Sequence, residues 1–357
     1  MSAISEISLA VYSIPTEQPE ADGTLSWDHT TMVLVQAGAE DKIGIGWTYG
    51  PGACALVVQD QLAPVVRGMN ACDVPAAFMA MVRAVRNAGR PGLVGYAISA
   101  VETALWDLKA RLLDLPLCGL LGQALPSAPV YGSGGFVNYS VQQVRDQVGQ
   151  WVHEEGIPRV KIKIGGEDDI NRVRQARSAI GPLADLYVDA NGAYTVKQAL
   201  RIAEVLEGSE VSWFEEPVSS DDLAGLRRVR EATQIDVAAG EYGYDLFYFR
   251  QMSEVVDCLQ IDVTRCGGIL EWQRAASVAA SRNLQVSSHC APQLHLHAAL
   301  ATPNLRHMEW FHDHVRIESM FFDGFHAPNE GAVEPDLTRP GNGLELRVPD
   351  VEKYRVL

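Results

Sequence analysis

The sequence predicts an α/β protein built on a (β/α)8 barrel of the TIM type, and three features support this prediction. From about residue 129, short apolar strands alternate with amphipathic helical stretches. Eight such strands follow one another, which is the number that closes a parallel barrel. Ionisable residues recur at the strand ends, in phase with the repeat. A chain of 357 residues has room for such a barrel and a second domain.

The N-terminal third has a different pattern. Three β-rich segments, ISEISLAVYSI, TTMVLVQAG and KIGIGWTYG, lie within the first 60 residues or so. The stretch PTEQPEADGTLSWDHT (residues 15–30) is rich in Pro, Gly and Asp, which predicts a long loop of the kind that forms lids and binding loops. Residues 97–122 carry an apolar helical stripe from Val101 to Leu112, with Pro116 as a breaker.

The predicted barrel strands are, in order, VYGSGG, RVKIKIG, DLYVDAN, VSWFEEP, DVAAGE, CLQIDVT, LQVSSHC and HMEW. Runs such as TVKQALRIAEVLEG and LAGLRRVREAT supply helices between them. The final stretch, GAVEPDLTRPGNGLELRVPD, returns to turn-rich β character. We therefore divide the chain into residues 1–125, 126–322 and 323–357.

Composition and charge narrow the class of ligand. A content of 47% hydrophobic and 21% charged residues is typical of a soluble globular protein. A net charge of -16 offers no basic surface to nucleic acid or to an anionic membrane, so a small molecule is the expected partner. The six cysteines form no CxxC pair, and the N-terminus does not resemble a signal peptide, which together predict reduced thiols and a cytoplasmic protein.

The last inward residue of most predicted strands is ionisable, and these residues lie 20 to 27 positions apart, about one βα unit. A single Asp or Glu at a strand end is usually a helix cap or a surface charge. Several ionisable residues that recur in phase with the barrel repeat would meet at the mouth, where barrel enzymes have their active sites. Burying these charges together requires a metal or an opposite charge. They are Lys163, Asp189, Glu215, Glu241, Asp262, His289 and Glu309.

Asp189, Glu215 and Glu241 end three consecutive strands, so their oxygens can meet at one point. Three carboxylates with open water positions suit a hard divalent cation, Mg²⁺ above all, whereas zinc usually takes His or Cys ligands. Asn191 in VDAN is a candidate further oxygen ligand or support, although an Asn after a strand is equally typical of a turn.

Two further pairs of residues suggest proton transfer. Lys161 and Lys163 share one strand face, and neighbouring cations lower a lysine's pKa toward that of a usable base. Asp262 and His289 end consecutive strands, where a hydrogen bond between them would fix the imidazole tautomer. A base on each side of a bound anion can remove a proton from carbon and deliver another.

These motifs resemble the enolase superfamily, specifically its mandelate racemase subgroup. The resemblance covers nearly the whole chain. It rests on KIKIG, VDAN, WFEEP, AAGE, QIDVTRCGGI, SSHC and MEW, together with ALWDLKARLLDLPLCGLLG and PGNGLEL.

The resemblance implies an N-terminal α+β capping domain, completed by the C-terminal tail, over the barrel mouth. It implies one Mg²⁺ per subunit on the three carboxylates, Lys163 as base on one face, and His289, supported by Asp262, on the other. Lys161 would neutralise the substrate carboxylate and Glu309 would hydrogen-bond to it. Relatives commonly form dimers or octamers, so a homo-oligomer is expected.

Substrate contacts are less clearly indicated. Arg265 stands where relatives can carry Lys, and we expect it to contact Asp262 or His289. Loops 15–30 and 47–52 match no known specificity. Aromatic and polar candidates for contact with the substrate are Trp27, Asp28, His29, Trp47 and Tyr49 from these loops, and Tyr131 and Ser133 from the first barrel strand.

The resemblance further implies removal of the proton α to a carboxylate through an enediolate, which preorganised cations stabilise. We expect a carbon–oxygen hydro-lyase that dehydrates an aldonic or aldaric acid sugar to a 2-keto-3-deoxy acid. The same residues would serve a racemase or epimerase of a 2-hydroxy acid, or a sugar-acid lactone cycloisomerase. A non-catalytic sugar-acid-binding relative would lack a base or a ligand, and none is missing.

Overall fold

The computed structural model describes residues 2–357, and its N-terminal part is an antiparallel sheet covered by helices. The three strands lie in the order β1-β2-β3, and the long helix α4 packs on them. The elements are β1 (Glu6–Ala21), β2 (Ser26–Ala39), β3 (Lys42–Tyr49), α1 (Ala53–Val57), a π-helical turn (Val58–Leu62), α2 (Ala63–Val66), α3 (Val74–Ala84), α4 (Leu93–Leu112) and α5 (Leu117–Leu121).

The predicted long loop 15–30 is wrong, because most of it is a β-hairpin. Pro15 pairs with His29 and Glu20 pairs with Trp27, with an irregularity between the two pairs, so that only residues 22–25 form the turn. β1 is an edge strand, where a Pro costs no ladder hydrogen bond. Turn-forming composition therefore did not distinguish an edge strand from a loop.

The rest of the chain forms the predicted barrel. Eight parallel strands pair in sequence order, and β11 pairs with β4 to close the ring. The barrel strands are β4 (Ala128–Gly134), β5 (Arg159–Lys163), β6 (Asp185–Asp189), β7 (Val211–Glu215), β8 (Asp236–Ala239), β9 (Cys258–Ile261), β10 (Gln285–Ser288) and β11 (Leu305–Phe311). The prediction of a (β/α)8 barrel with an N-terminal cap is confirmed.

Helices surround the barrel, and their local sequences explain where they begin. In α6, for example, Ser140 and Gln143 form a reciprocal capping box that satisfies the first free N–H groups. The surrounding helices are α6 (Val141–His153), α7 (Asp169–Ile180), α8 (Val196–Glu207), α9 (Leu223–Arg230), α10 (Leu246–Met252), α11 (Ile269–Ala280), α12 (Pro292–Leu300) and α13 (His312–Phe321). Within residues 2–357, no helix combines the length and apolar character needed to cross a bilayer.

The barrel interior below the mouth is filled with side chains. Tyr131, Tyr187 and Trp213 are buried there, in edge-on, stacked and tilted ring contacts with one another. Such a packed interior supports the strand ends rigidly, so the site above it is held by the barrel.

The C-terminal segment returns to both other parts of the chain. β13 pairs with β4, and the N–H of Val11 in β1 donates to the carbonyl of Leu357. Asp107 of α4 accepts hydrogen bonds from the N–H groups of Ile45 and Asn342, joining the cap to the tail. The segment contains β12 (Phe322–Asp323), β13 (Ala332–Val333), β14 (Glu345–Leu346), α14 (Val348–Val351) and a 3-10 turn (Glu352–Tyr354).

Candidate active site

Three buried carboxylates meet at the C-terminal ends of β6, β7 and β8. Asp189 and Glu215 end their strands in direct register, and Glu241 follows β8 by two residues. Gly240 makes this turn with φ 132°, and a Cβ there would lie 2.3 Å from the carbonyl of Gln260. One ligand atom from each carboxylate lies within 4.8 Å of the other two.

The donor set of this cluster fits Mg²⁺. All three residues are at most 2% exposed, and each offers only oxygen, the ligand that hard divalent cations prefer. Oε2 of Glu241 has no hydrogen-bond partner among residues 2–357, which is costly for a buried carboxylate oxygen unless a cation or water meets it.

The charges of the cluster are strongly coupled. Burial, together with the charge of Asp189, raises the pKa of Glu215 well above its ordinary value. Burial would also raise the pKa of Asp189, but the ammonium groups of Lys163 and Lys161 outweigh it and lower the pKa. Glu215 therefore resists ionisation beside Asp189, and a bound cation would relieve the repulsion between them.

Both lysines of β5 point into this cluster, as predicted. Lys161 is fully buried, with Nζ 2.7 Å from Oε1 of Glu215 and 2.8 Å from Oε1 of Glu309. Nζ of Lys163 lies 2.5 Å from Oδ2 of Asp189. Their mutual repulsion is offset by three carboxylates.

The pKa of Lys163 differs from the expectation. Burial is the largest single influence and lowers the pKa, but the carboxylates of Asp189, Glu215 and Glu309 together outweigh it, so the pKa lies above the ordinary lysine value. The protein side chains alone therefore do not lower the pKa of Lys163. A divalent cation on the same carboxylates would offset their charge and remove the cause of the increase.

His289 and Asp262 form the predicted pair at the ends of β10 and β9. Nδ1 of His289 lies 2.7 Å from Oδ2 of Asp262. Burial would raise the pKa of Asp262, but the hydrogen bond and charge of His289 lower it below its usual range. An ionised carboxylate only accepts hydrogen bonds, so Nδ1 carries the proton and Nε2 faces the carboxylate cluster.

The neighbouring histidines have structural roles. Nε2 of His295 accepts from the N–H of Val263, and Nδ1 lies 2.9 Å from the carbonyl of Ala291. His297 bridges the N–H of Cys118 and the carbonyl of Asn342. Among these three, His289 alone directs a ring nitrogen toward the carboxylate cluster: Nε2 lies 3.4 Å from Oε2 of Glu241 and 3.3 Å from Sγ of Cys290.

Glu309 and Arg265 connect the parts of the site. Oε1 of Glu309 accepts from the hydroxyl of Ser133 at 2.6 Å, and Oε2 accepts from the N–H of Cys290 at 2.7 Å. The guanidinium of Arg265 lies 3.1 Å from Oε1 of Glu241 and 3.4 Å from Oδ2 of Asp262. The predicted contact between Arg265 and Asp262 is present, and Arg265 also contacts a carboxylate of the cluster.

A cavity of about 510 Å³ is lined by residues that follow the strand ends, among them Asn191, Glu216 and Tyr242, but not by the three carboxylates themselves. Asn191, two residues after Asp189, contributes an Oδ1 atom that has no hydrogen-bond partner among the described residues. The other polar lining groups come from Thr24, Tyr96, Glu216, Ser219, Ser220, Asp221, Tyr242, Tyr244 and Tyr248. Tyr96 and Tyr242, whose rings flank the guanidinium of Arg265, were missed because no sequence pattern marks them.

Three of the predicted substrate-contact residues are buried and do not line the cavity. Tyr131 is fully buried in the barrel interior, one layer below Ser133, where Gln260 Nε2 donates to its hydroxyl. Trp47 is fully buried and stacks on Phe322. Tyr49 stacks on the ring of His314 and donates to Glu318. These aromatic side chains pack the interior, and proximity in sequence to a mouth loop did not reveal their depth.

The remaining loop candidates belong to the β1–β2 hairpin. Trp27 is half-buried, donates to Glu20 and packs edge-on against Phe136. Asp28 and His29 are exposed and pair with each other. None of the three lines the cavity.

The hairpin packs against residues that follow the barrel strands at the mouth. The N–H of Val137 donates to the carbonyl of Ala21, and Thr30 donates to Asp313. At the tip, a Cβ on Gly23 would lie 2.8 Å from the carbonyl of Ile164 and 2.9 Å from Cβ of Ala193. Only glycine permits this close approach.

Comparison with known proteins agrees with this architecture. The family model for the mandelate racemase / muconate lactonizing enzyme N-terminal domain matches residues 7–122, and the enolase C-terminal domain-like model matches residues 143–351. The chain belongs to the enolase superfamily, within its mandelate racemase/muconate lactonizing enzyme group.

Relatives of the chain include sugar-acid enzymes. It is 31% identical to a 3,6-anhydro-alpha-L-galactonate cycloisomerase from Streptomyces coelicolor, over 96% of this chain and 97% of that protein. A mandelate racemase/muconate lactonizing enzyme-like protein from Rubrobacter xylanophilus is 46% identical, with a TM-score of 0.97 over 99% of this chain and all of the other.

A third comparison bears on the cofactor. The structure of L-talarate/galactarate dehydratase from Salmonella typhimurium, liganded with Mg and L-lyxarohydroxamate, matches with a TM-score of 0.92 and 26% identity over 100% of this chain and 93% of that one. Members of the superfamily depend on Mg²⁺, and this chain is a Mg²⁺-dependent enzyme of the same superfamily.

Proposed function

We propose that this enzyme dehydrates an acid sugar to a 2-keto-3-deoxy acid. The observation that carries the proposal is the placement of two proton-transfer groups around one carboxylate cluster. Lys163 approaches from β5, and the His289–Asp262 pair approaches from β10 and β9. Such an arrangement is suited to abstraction of a proton next to a substrate carboxylate.

In this proposal Asp189, Glu215 and Glu241 hold Mg²⁺, which fits their oxygen-only donor set. When bound, Mg²⁺ supplies positive charge that stabilises the developing oxyanion. The ammonium of Lys161 faces the same anion. Glu309 orients the substrate carboxylate and is itself held by Ser133, Lys161 and the N–H of Cys290. These groups are fixed before reaction, so they need little reorganisation as charge develops.

The chemical step then divides between the two faces. Lys163 or Nε2 of His289 removes the proton from C2, and the carboxylate becomes an enediolate. His289, as the conjugate acid, protonates the departing 3-hydroxyl, which leaves as water. The resulting enol tautomerises to the 2-keto-3-deoxy acid, so the overall change is loss of one water. Asp262 positions the imidazole throughout.

The cavity supports a polyhydroxy substrate. Its polar lining is mostly hydroxyl and amide groups, which suit the hydroxyls of a sugar chain. Among residues 2–357, the lining includes the carboxylates Glu216 and Asp221 but no lysine or arginine. A second carboxylate at the far end of the substrate would meet negative charge, so we expect aldonic acids to be preferred over aldaric acids.

Two other reactions use the same residues. A racemase or epimerase would move the C2 proton between Lys163 and His289, and the presence of a base on each side favours this possibility too. A sugar-acid lactone cycloisomerase is the activity that the name of the Streptomyces relative gives. Neither of these reactions removes water from the substrate.

A panel of aldonic and aldaric acids, incubated with enzyme and Mg²⁺ and assayed for 2-keto acid, tests the proposal. Keto product from an aldonic acid is the expected result. If no acid yields keto product but solvent deuterium enters C2 with inversion, the enzyme is a racemase or epimerase. If a sugar-acid lactone added to the same panel is consumed without formation of keto product, the enzyme is a cycloisomerase.

A further inference from the structure

A second group of metal-binding atoms lies next to the magnesium carboxylates, on the His289 side of the mouth. Ligand atoms of His289, Cys290 and Glu309 all lie within 4.8 Å of one another. Sγ of Cys290 is 3.3 Å from Nε2 of His289, and Nε2 is 4.0 Å from Oε2 of Glu309. All three residues are at most 6% exposed.

The backbone aims the thiol at the imidazole. Cys290 and Ala291 both have positive φ, 52° and 40°, at the sharp turn from β10 into α12. Such conformations are unfavourable for residues other than Gly and persist only where the surrounding structure holds them. The N–H of Cys290 is fixed by Glu309, and the N–H of Ala291 is fixed by Nδ1 of His314.

Glu241 of the carboxylate cluster borders this second group. Oε2 of Glu241 is buried, has no hydrogen-bond partner among residues 2–357, and lies 3.4 Å from Nε2 of His289. An uncompensated carboxylate oxygen thus borders the three donors.

We propose that His289, Cys290 and Glu309 form a second metal site, selective for Zn²⁺, whose occupation blocks the His289 face of the enzyme. Sulfur, nitrogen and carboxylate oxygen are the donors that zinc takes in tetrahedral sites, whereas Mg²⁺ takes oxygen. The two neighbouring sites therefore differ in preference, and Mg²⁺ does not compete effectively for the second.

Binding exchanges a proton for the metal. The S–H bond of Cys290 breaks, a sulfur–zinc bond forms, and the proton passes to solvent, with no change in oxidation state. Nε2 of His289 donates its lone pair to zinc and can no longer accept a proton from substrate. Glu309 is withdrawn from the substrate carboxylate in the same event, so zinc acts as a dead-end ligand.

Cobalt(II) is a suitable probe because a thiolate–cobalt bond gives an intense near-ultraviolet charge-transfer band that oxygen ligands do not give. The protein is first saturated with Mg²⁺, so that the carboxylate site is filled, and is then titrated with Co²⁺. We expect the band to reach its maximum at one equivalent and to be abolished by added Zn²⁺. This readout does not depend on the reaction that the enzyme catalyses.

Cys290→Ser should remove the band and weaken Zn²⁺ binding by more than about 100-fold, because even outer partners of metal ligands contribute about 10–100-fold. Cys266→Ser is the matched control: its thiol is also buried, but donates to the carbonyl of Gly268, and the band should remain. Absence of the band in the unmodified protein overturns the proposal whether or not a variant folds. An unchanged band or unchanged Zn²⁺ affinity in Cys290→Ser also overturns it.

Discussion

Asp262 accepts a hydrogen bond from Nδ1 of His289 at 2.7 Å, and this contact leaves Nε2 directed at the carboxylate cluster. The carboxylate fixes the tautomer and the orientation of the imidazole. Because the contacts of Asp262 are with His289, Thr264 and Arg265, we expect it to act through the histidine.

Replacing Asp262 should therefore reduce turnover more than binding. We expect Asp262→Asn to lower kcat by about 10²–10⁴, the range that one positioned acid–base group supplies, with little change in KM. Asp257→Asn, at the opposite end of β9, is the control and should keep its kcat. Steady-state kinetics measure both, and a kcat within a fewfold of the unmodified enzyme would show that Asp262 has no positioning role.

Magnesium should stabilise the fold through the three carboxylates. A ligand that binds only the native state adds about 2.7 kcal/mol at 100 times its Kd. Mg²⁺ should therefore raise Tm, and Asp189→Asn should lose most of this increase. Asp236→Asn, at the far end of β8, should retain it. Thermal unfolding with and without EDTA provides the measurement. Equal Mg²⁺ responses in all three proteins would remove Asp189 from the metal site.

Because the hairpin tip is closely packed, one added methyl group at Gly23 should raise KM. In Gly23→Ala the new Cβ would lie 2.8 Å from the carbonyl of Ile164, and overpacking of this kind costs about 1–3 kcal/mol. The hairpin tip should lift from the mouth and raise KM. Gly38→Ala, elsewhere on the hairpin, meets nothing closer than 3.6 Å and should leave KM unchanged. Equal KM values for the two variants would show that the close packing of the hairpin tip does not affect substrate binding.

Glu20, on the same hairpin, predicts a pH dependence of stability. Burial and the nearby charge of Asp313 raise the pKa of Glu20 from 4.5 to about 8. The folded state thus keeps a proton that the unfolded chain releases, so stability falls as pH rises between these two values. Glu20→Gln should reduce this fall, and Glu6→Gln, an exposed carboxylate on the same strand, should not. Urea unfolding at pH 5, 6.5 and 8 measures the slope, and a slope in Glu20→Gln equal to that of the unmodified protein would exclude the effect.

Much of the site could be predicted because a parallel barrel repeats one geometry. Each βα unit brings its strand end to the same mouth, so Lys163, Asp189 and Glu215 meet even though each is 26 residues from the next. Periodicity in the sequence therefore corresponds directly to proximity in space.

The parts of the site that could not be predicted depend on how deeply a side chain lies in the barrel and on local backbone conformation. The sequence does not show that Tyr131 lies one layer below Ser133, or that Trp47 packs against a residue far along the chain. The contact between Cys290 and His289 arises from two successive positive φ angles, which nothing in SSHCAPQ indicates. Pro-rich composition likewise concealed an edge strand.

Exchange of the substrate's C2 proton in D2O, followed by NMR, tests most directly whether Lys163 and His289 act on opposite faces. We expect His289→Asn to abolish exchange from one face only and Lys163→Ala to abolish it from the other, each in the presence of Mg²⁺. The mechanism would be contradicted if Lys163→Ala kept full exchange and turnover. It would also be contradicted if exchange from both faces were lost only when an unrelated residue was changed.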